Sequence, residues 1–459
     1  MQEESKYISQ MLNLKGRGLE LSKKDYDNFV KHLCNKTISA VQLGAFLMAV
    51  FTRGMTPDET ANLTSAMINN SEKMRWNDQK WAQFVVDKQS TGGVGDKTSH
   101  ILAPMIAACG GKVPMISGRG LGIAGGSIDK LESIEGYSPN IGIGQLKSLI
   151  NDSGFFIVGQ NERVVPADRP LYKYRDVTGT VASIPLITAS ILSRKLCEGL
   201  RGLVMDIKLG IGALFQDLNE VRHLAKTMIS VGEKMDLKVV AVVSSMDQPL
   251  GQCSGNALEM AEVFSILSGG PFEGRLKDVV LTLGHNMLSA ATIESDASKA
   301  SRMMLQVLNN GKVREAMAKM LVGQGVSSEL AEKLCSPPPE ECPDAIDYYL
   351  ETMGKMADMK THIKAFQTGY ISEIDARAVG QVVWRLGAGR DKPEDSIDHT
   401  VGIRLLKQVG DYIEKDEAWC IIYHKNKGLD SKLTIMINAA ISILDEAPRV
   451  SNAVIEIIQ

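Results

Sequence analysis

Lysine, serine and threonine side chains interleaved with glycine are what a polypeptide uses to hold a small anion, and residues 87–132 supply two such stretches. The first runs Asp87-Lys88-Gln89-Ser90-Thr91-Gly92-Gly93-Val94-Gly95-Asp96-Lys97-Thr98-Ser99. The second runs Ser117-Gly118-Arg119-Gly120-Leu121-Gly122-Ile123-Ala124-Gly125-Gly126-Ser127-Ile128-Asp129-Lys130-Leu131-Glu132. Glycine lets the backbone approach a ligand closely, and the unpaired N–H groups of a helix start carry partial positive charge. Hydroxyls add donors, so a dianion such as phosphate is the simplest ligand.

Two better-known fingerprints fail here. Residues Gly92 to Thr98 approach a P-loop, but Asp96 stands before Lys97 where that loop needs glycine, and its carboxylate would repel a triphosphate. Gly120 to Gly125 satisfies the glycine spacing of a dinucleotide site, yet no acidic residue closes a following strand at the distance a ribose needs.

The elements that must position these loops are legible in the apolar pattern. Phe84-Val85-Val86 predicts a buried strand entering the first loop, and Thr98 to Ala108 leaves it with the helical spacing of Ile101, Leu102, Met105 and Ile106. Lys112 to Ile116 predicts the next strand, so two parallel strands end side by side, each with a glycine loop. Leu146 to Ile150 predicts a helix and Phe155 to Val158 a further strand. Strand, helix and strand recur over 203–207, 218–234 and 239–243, which implies a parallel sheet covered on both faces. Before the loops, residues 21–70 are helical in pattern, with Ser22 a helix cap and Thr56-Pro57-Asp58-Glu59 a capping box. In that region Leu43, Phe46, Leu47 and Val50 form an apolar stripe suited to burial within the domain. Residues 167–176 and 183–199 are helical again. Ser336-Pro337-Pro338-Pro339 breaks the chain, and beyond it short strands are expected at 362–366, 370–374, 401–405 and 419–424, with a last helix over about 432–444.

A chain of 459 residues exceeds one ordinary core, and a net charge of -3 argues against bulk nucleic-acid or anionic-membrane binding. Seven scattered cysteines without a C-x-x-C pair fit reduced thiols, not a zinc ribbon. The N-terminal residues lack the pattern of a secretory signal and no apolar run reaches membrane-spanning length, so a cytoplasmic protein is expected.

Ser117-Gly118-Arg119-Gly120-Leu121 followed by Gly125-Gly126-Ser127-Ile128-Asp129-Lys130-Leu131-Glu132 resembles the signature of the thymidine and pyrimidine-nucleoside phosphorylases, and the similarity extends from about Tyr26 to Ala447. The resemblance implies an α/β fold: a small discontinuous all-helical domain (1–70 and 167–198), a large α/β domain with a mostly parallel sheet (80–160 and 201–345), and a structural C-terminal α+β portion (346–459). It implies a homodimer through the helical domain and a cytoplasmic enzyme without a cofactor or metal, its ligands a pyrimidine nucleoside and phosphate. It assigns phosphate binding to Lys88, Ser90, Ser99, Ser117 and Ser127, and base binding to Arg175, Ser190 and Arg194. Gln89, Arg175 and Arg194 then carry catalysis. Asp129, Lys130 and Glu132 read as a structural ion network.

Several positions depart from the family. Its histidine in the first loop is Gln89, which donates a hydrogen bond but no proton near neutral pH. Its base-contacting lysine is Arg194, which keeps the charge with different geometry. Ile123 and Ala124 stand where the animal enzymes of the family usually have a histidine and a threonine, predicting a drier pocket. Some relatives hold a monovalent cation behind the phosphate loop; here the Lys97 ammonium stands in its place, with Glu259 as the expected partner. Three function classes follow: phosphorolysis of thymidine and deoxyuridine, an altered nucleoside specificity, or a catalytically weakened phosphate-binding protein.

Overall fold

The computed structural model of the chain describes residues 2–77, 79–120, 122–123, 125–160, 163–390, 392, 395–425 and 428–459. Leu121 and Ala124 of the second glycine motif lie outside them.

The chain opens with helices α1 (Gln2–Gly16), α2 (Lys23–Cys34), α3 (Ala40–Arg53) and α4 (Pro57–Asn69). Each start from α2 onward is fixed by a reciprocal capping box: Ser22 with Asp25, Ser39 with Gln42, and Thr56 with Glu59. The α3 stripe of Leu43, Phe46, Leu47 and Val50 is buried within the bundle. Glu59 does more than cap. It accepts from Lys15 Nζ at 2.7 Å, Tyr26 Oη at 2.9 Å and Leu21 N at 2.9 Å, while itself only 2% exposed. Burial opposes its charge, but the Lys15, Leu21, Thr56 and Tyr26 hydrogen bonds hold its carboxyl below the usual range. Its stabilising contribution is therefore present at neutral pH and lost as pH falls through the folded-state value. Glu59→Ala strands the buried Lys15 ammonium and is expected to cost about 3–5 kcal/mol in urea unfolding; a loss below about 1 kcal/mol would contradict this role.

A single tight turn, Ala82–Phe84, leads into β1 (Val86–Ser90), followed by α5 (Thr98–Ala108), β2 (Val113–Ser117), α6 (Ser127–Leu131), α7 (Ile143–Ser153) and β3 (Phe155–Gly159). The first strand thus begins where it was expected to end. Its polar residues Asp87 to Ser90 are held extended by parallel pairing, residue for residue, with Leu203 to Asp206. Lys88, Gln89 and Ser90 therefore lie on a strand end and not in a loop. Helices α8 (Asp168–Val177) and α9 (Ile184–Cys197) return to the N-terminal bundle, α8 against α3 and α9 against α4. The chain then forms β4 (Gly202–Leu209), α10 (Leu218–Lys234), β5 (Lys238–Ser245), β6 (Cys253–Ser254) and helices α11 (Asn256–Leu267), α12 (Gly274–Ala290), α13 (Ala297–Asn309), α14 (Lys312–Gly323) and α15 (Ser328–Leu334).

Strands β1, β4 and β5 are parallel neighbours, as are β2 and β3. The two groups are joined at a parallel bridge between Val85 and Lys112. The sheet separates two cores by simple alternation. Val204 and Val242 face α5, α11 and α12, whereas Leu203, Met205 and Ile207 face α10 and the helical bundle.

The remaining elements are α16 (Ala345–Thr352), β7 (Met359–Lys364), β8 (Gly369–Ile374), α17 (Ala376–Val383), β9 (Gly402–Leu405), β10 (Tyr412–Ile413), β11 (Ala418–His424), α18 (Ser431–Asn438), β12 (Ile441–Leu444) and β13 (Val454–Ile458). One expectation needs correction. The last helix stops at Asn438, and residues 441–444 form a strand paired antiparallel with β8, because Ile441 and Ile443 alternate inward. The final strand β13 joins the large sheet antiparallel to β5.

Candidate active site

The ends of β1 and β2 and the starts of α5 and α6 converge at one edge of the large sheet. Lys88 Nζ, almost wholly buried, donates to Thr98 Oγ1 at 2.5 Å and Ser99 Oγ at 3.3 Å, the first two residues of α5. Ser117 ends β2, and Ser127 begins α6 immediately across the second glycine loop. His100 joins the two helix starts through Nε2 and the Ser127 carbonyl at 3.0 Å. Since a carbonyl only accepts, Nε2 carries the proton. Burial and then Lys130 push His100 down to about 3, so this imidazole is neutral and no acid for a leaving group.

Asp96 governs the first loop. Its carboxylate accepts from Ser90 Oγ and Thr98 Oγ1, both at 2.6 Å. Burial opposes ionisation, but Lys208, Lys88, Lys130 and the Ser90 hydroxyl hold this carboxyl well below the usual range. Ser90 gives its proton to Asp96, so a bound anion competes with an internal carboxylate for that hydroxyl. Lys208, 2.7 Å from Asp206 and 3.9 Å from Asp96, belongs to the same group of charges. Sequence reasoning passed over it, although two charged residues at i and i+2 in the apolar run 203–209 were a visible signal of a functional strand face.

Close packing explains the glycines where it is tightest. A Cβ on Gly126 would lie 2.1 Å from Gly120 N, and one on Gly95, at φ +73°, would lie 2.6 Å from Leu250 O. Asp129 pins the second loop by accepting from Gly120 N at 2.6 Å and Gly126 N at 3.3 Å. Arg390 holds Asp129 from behind at 2.9 Å, and Arg119 pairs with Glu132. Asp129 and Glu132 thus share Arg119 in a structural ion network, whereas Lys130 pairs separately, with Glu259 and the Asp96 carbonyl. The C-terminal portion, through Arg390, supports the loop directly. Ile123 packs against Gly380 of α17, where a Cβ would stand 3.2 Å away.

Lys97 lies behind the loop with its ammonium on the carbonyls of Leu250 at 2.7 Å and Cys253 at 3.0 Å, and on Glu262 at 3.0 Å. Its partner is Glu262, not Glu259, which pairs with Lys130 at 2.7 Å. The two carboxylates are one helical turn apart on α11, and the reach of each lysine selects between them. Among the described residues, no three His, Cys, Asp or Glu side chains gather as a metal-binding group.

On the helical side, Ser190 and Arg194 share a face of α9, and Arg194 Nε donates to the Ser190 carbonyl at 3.0 Å. Asp168, unnoticed in the sequence, begins α8 and lies 3.7 Å from Arg194 Nε. Arg175, from the same helix, is buried, donates to the Val181 carbonyl, and stands 5.9 Å from the Tyr172 ring centre. Burial lowers the Arg175 pKa, Asp168 opposing and Arg194 adding to the shift. Its Nε is buried without an acceptor. Gln89, on the strand between Lys88 and Ser90, donates to the Ser90 carbonyl at 2.9 Å.

This arrangement of helical bundle, α/β sheet with paired glycine loops and C-terminal strands defines a glycosyl transferase. The chain matches the helical bundle domain of the glycosyl transferase family over residues 9–71, the a/b domain of that family over 82–314, and the pyrimidine nucleoside phosphorylase C-terminal domain over 370–444; it belongs to this family. It is 39% identical to thymidine phosphorylase of Homo sapiens, over 97% of this chain and 90% of that one. The thymidine phosphorylase of Colwellia psychrerythraea is 39% identical over 96% of both chains. The pyrimidine-nucleoside phosphorylase of Staphylococcus epidermidis is 38% identical over 97% of this chain and 98% of that one. Anthranilate phosphoribosyltransferase from Thermus thermophilus shares the fold, with a TM-score of 0.55 at 18% identity over 68% of this chain and 98% of that chain.

Proposed function

We propose that this chain is a pentosyltransferase that cleaves thymidine with phosphate to give thymine and 2-deoxy-D-ribose 1-phosphate, and that it acts on related pyrimidine nucleosides. The observation that carries this reading is the division of the site. Lys88 and the hydroxyls at the α5 start offer an anion a cation and donors, while Arg175, Ser190 and Arg194 sit together on α8 and α9 of the helical domain. A pyrimidine imide presents acceptor, donor and acceptor along one edge, and two guanidinium groups with a serine hydroxyl complement that order.

The chemistry needs little beyond positioning and charge. A phosphate oxygen forms a bond to C1 of the sugar as the bond from C1 to the base nitrogen breaks, and the bonding pair leaves on the base. Arg175 and Arg194 stabilise that anion, which then takes a proton from solvent. Gln89 adds a neutral hydrogen-bond donor. Isotopically labelled phosphate oxygen is expected in the sugar 1-phosphate product and not in thymine. Free deoxyribose as the sole sugar product would replace phosphorolysis with hydrolysis.

The Lys97 ammonium takes over the work of a monovalent cation behind the loop. Burial opposes its charge, but Glu262 and Glu259 raise its pKa, so it stays charged through the neutral range. Rates in potassium and sodium buffers of equal ionic strength are expected to agree. Faster turnover in potassium would contradict this assignment.

A homodimer fits the bundle, where Val41, Met48 and Phe51 leave an apolar outer face on α3 uncovered. Sedimentation as a monomer at micromolar concentration would count against it. The seven free cysteines support a reducing, cytoplasmic setting. Among the described residues no helix is long and apolar enough to cross a membrane.

A further inference from the structure

Three charged side chains meet where the helical domain rests on the sheet, and the site chemistry uses none of them. Asp87 of β1, Lys195 of α9 and Glu198 at the end of α9 are each at most 1% exposed. Lys195 Nζ donates to Asp87 Oδ2, to Glu198 Oε1 at 2.9 Å and to the Ile116 carbonyl at 3.1 Å. Glu198 Oε1 also accepts from Ile116 N at 2.8 Å. Both polar groups of Ile116 are thus held by one turn of α9.

The sequence positions give this cluster its meaning. Asp87 precedes Lys88, Ile116 precedes Ser117, and Lys195 follows Arg194. One buried group therefore ties the base-side helix to both strands that end at the anion-binding edge.

Its charges do not balance: two carboxylates face one ammonium, with no water-exposed surface to relieve the excess. Asp87 Oδ1 and Glu198 Oε2 are both buried, and neither has a donor. Two carboxylates that share a dry site cannot both ionise cheaply, and one proton between them satisfies both orphaned oxygens.

We propose that Glu198 holds a proton at neutral pH and donates it from Oε2 to Asp87 Oδ1, and that the Asp87–Lys195–Glu198 group is the positioning device that aligns the base helix with the phosphate strands. Burial raises the Glu198 pKa well above the carboxylate range, Lys195 opposing and Asp87 adding to the rise. The titratable groups facing Glu198 are Lys195 on its own helix, Asp87 on β1 and the neighbouring Cys197 thiol, itself pushed up to about 11 by burial. A raised carboxyl contributes fully below its ordinary value and is lost as pH rises through the folded-state value. At alkaline pH the two carboxylates repel, and the strand ends lose their alignment.

This inference rests on the phosphate and base assignments above, and its test separates the two. The full-length protein should show an infrared carbonyl band of a buried protonated carboxyl at neutral pH, absent in Glu198→Gln. Its phosphate KM should rise about tenfold on the alkaline side. Glutamine keeps the hydrogen bonds without a titrating proton, so Glu198→Gln should retain the fold and show no such limb. Glu198→Ala should weaken phosphate at every pH, with glutamine rescuing most of the loss. A parent without the carboxyl band, or a Glu198→Gln variant with the band or the alkaline limb intact, overturns the proposal. A parent that has the band but binds no phosphate would leave the shared proton standing and remove the anion site instead.

Discussion

Lys88→Ala is expected to abolish saturable phosphate binding at concentrations where the parent is fully occupied. A charge-assisted hydrogen bond contributes about 1.5–3 kcal/mol, and the lost ammonium also leaves the loop hydroxyls without their cation, so affinity should fall by about a hundredfold or more. The fold should survive. Asp206 keeps Lys208 at 2.7 Å, and Asp96 keeps the Ser90 and Thr98 hydroxyls. The parent should therefore gain thermal stability with phosphate by mass action, about 2.7 kcal/mol at a hundred times Kd, while the variant should gain no more than about 0.4 kcal/mol at that concentration. A parent melting temperature indifferent to phosphate, or a variant that responds as the parent does, would remove Lys88 from the site.

Gln89→His should raise kcat on thymidine about tenfold. A positioned general acid is worth about 10² to 10⁴ in rate, and Arg194 already supplies part of that by favouring the anionic base. The imidazole acts as an acid only when protonated, so the variant should gain a pH limb in which activity falls as pH rises through the histidine pKa. The parent lacks this limb: Gln89 does not titrate, and His100 is neutral well into the acid range. Phosphate KM should change little because Lys88 remains. An unchanged or lower kcat with every pyrimidine nucleoside would make Gln89 a specificity residue.

Periodicity carried the long elements well. The helices at 98–108 and 218–234 stand where the apolar spacing placed them: α10 buries one face against the sheet, and α5 is enclosed between the sheet and α12 to α14. It failed where a partner strand decides the conformation. Asp87 to Ser90 look like loop until β4 supplies their register, and Ile441 to Leu444 continue a helical pattern until β8 claims them. The return of β13 to the large sheet has no local signature at all.

The site divides in the same way. Lysines, serines and glycines of the two loops announce an anion because their types and density are unusual together. Asp168 and His100 carry no such mark, since one acidic helix start and one helical histidine are ordinary in isolation. The exchange of Glu262 for Glu259 as the Lys97 partner shows the limit: two carboxylates three residues apart on α11 are equivalent to a reader of spacing, and three-dimensional reach alone distinguishes them.

The central claim is that this site breaks a nucleoside with phosphate. Release of free base from thymidine, deoxyuridine and uridine, measured with phosphate present and omitted, tests it most directly. Thymine should accumulate from thymidine only when phosphate is present, and 2-deoxyribose 1-phosphate should appear in equal amount. Saturable phosphate binding without base release from any of the three nucleosides, or release indifferent to phosphate, would contradict the account.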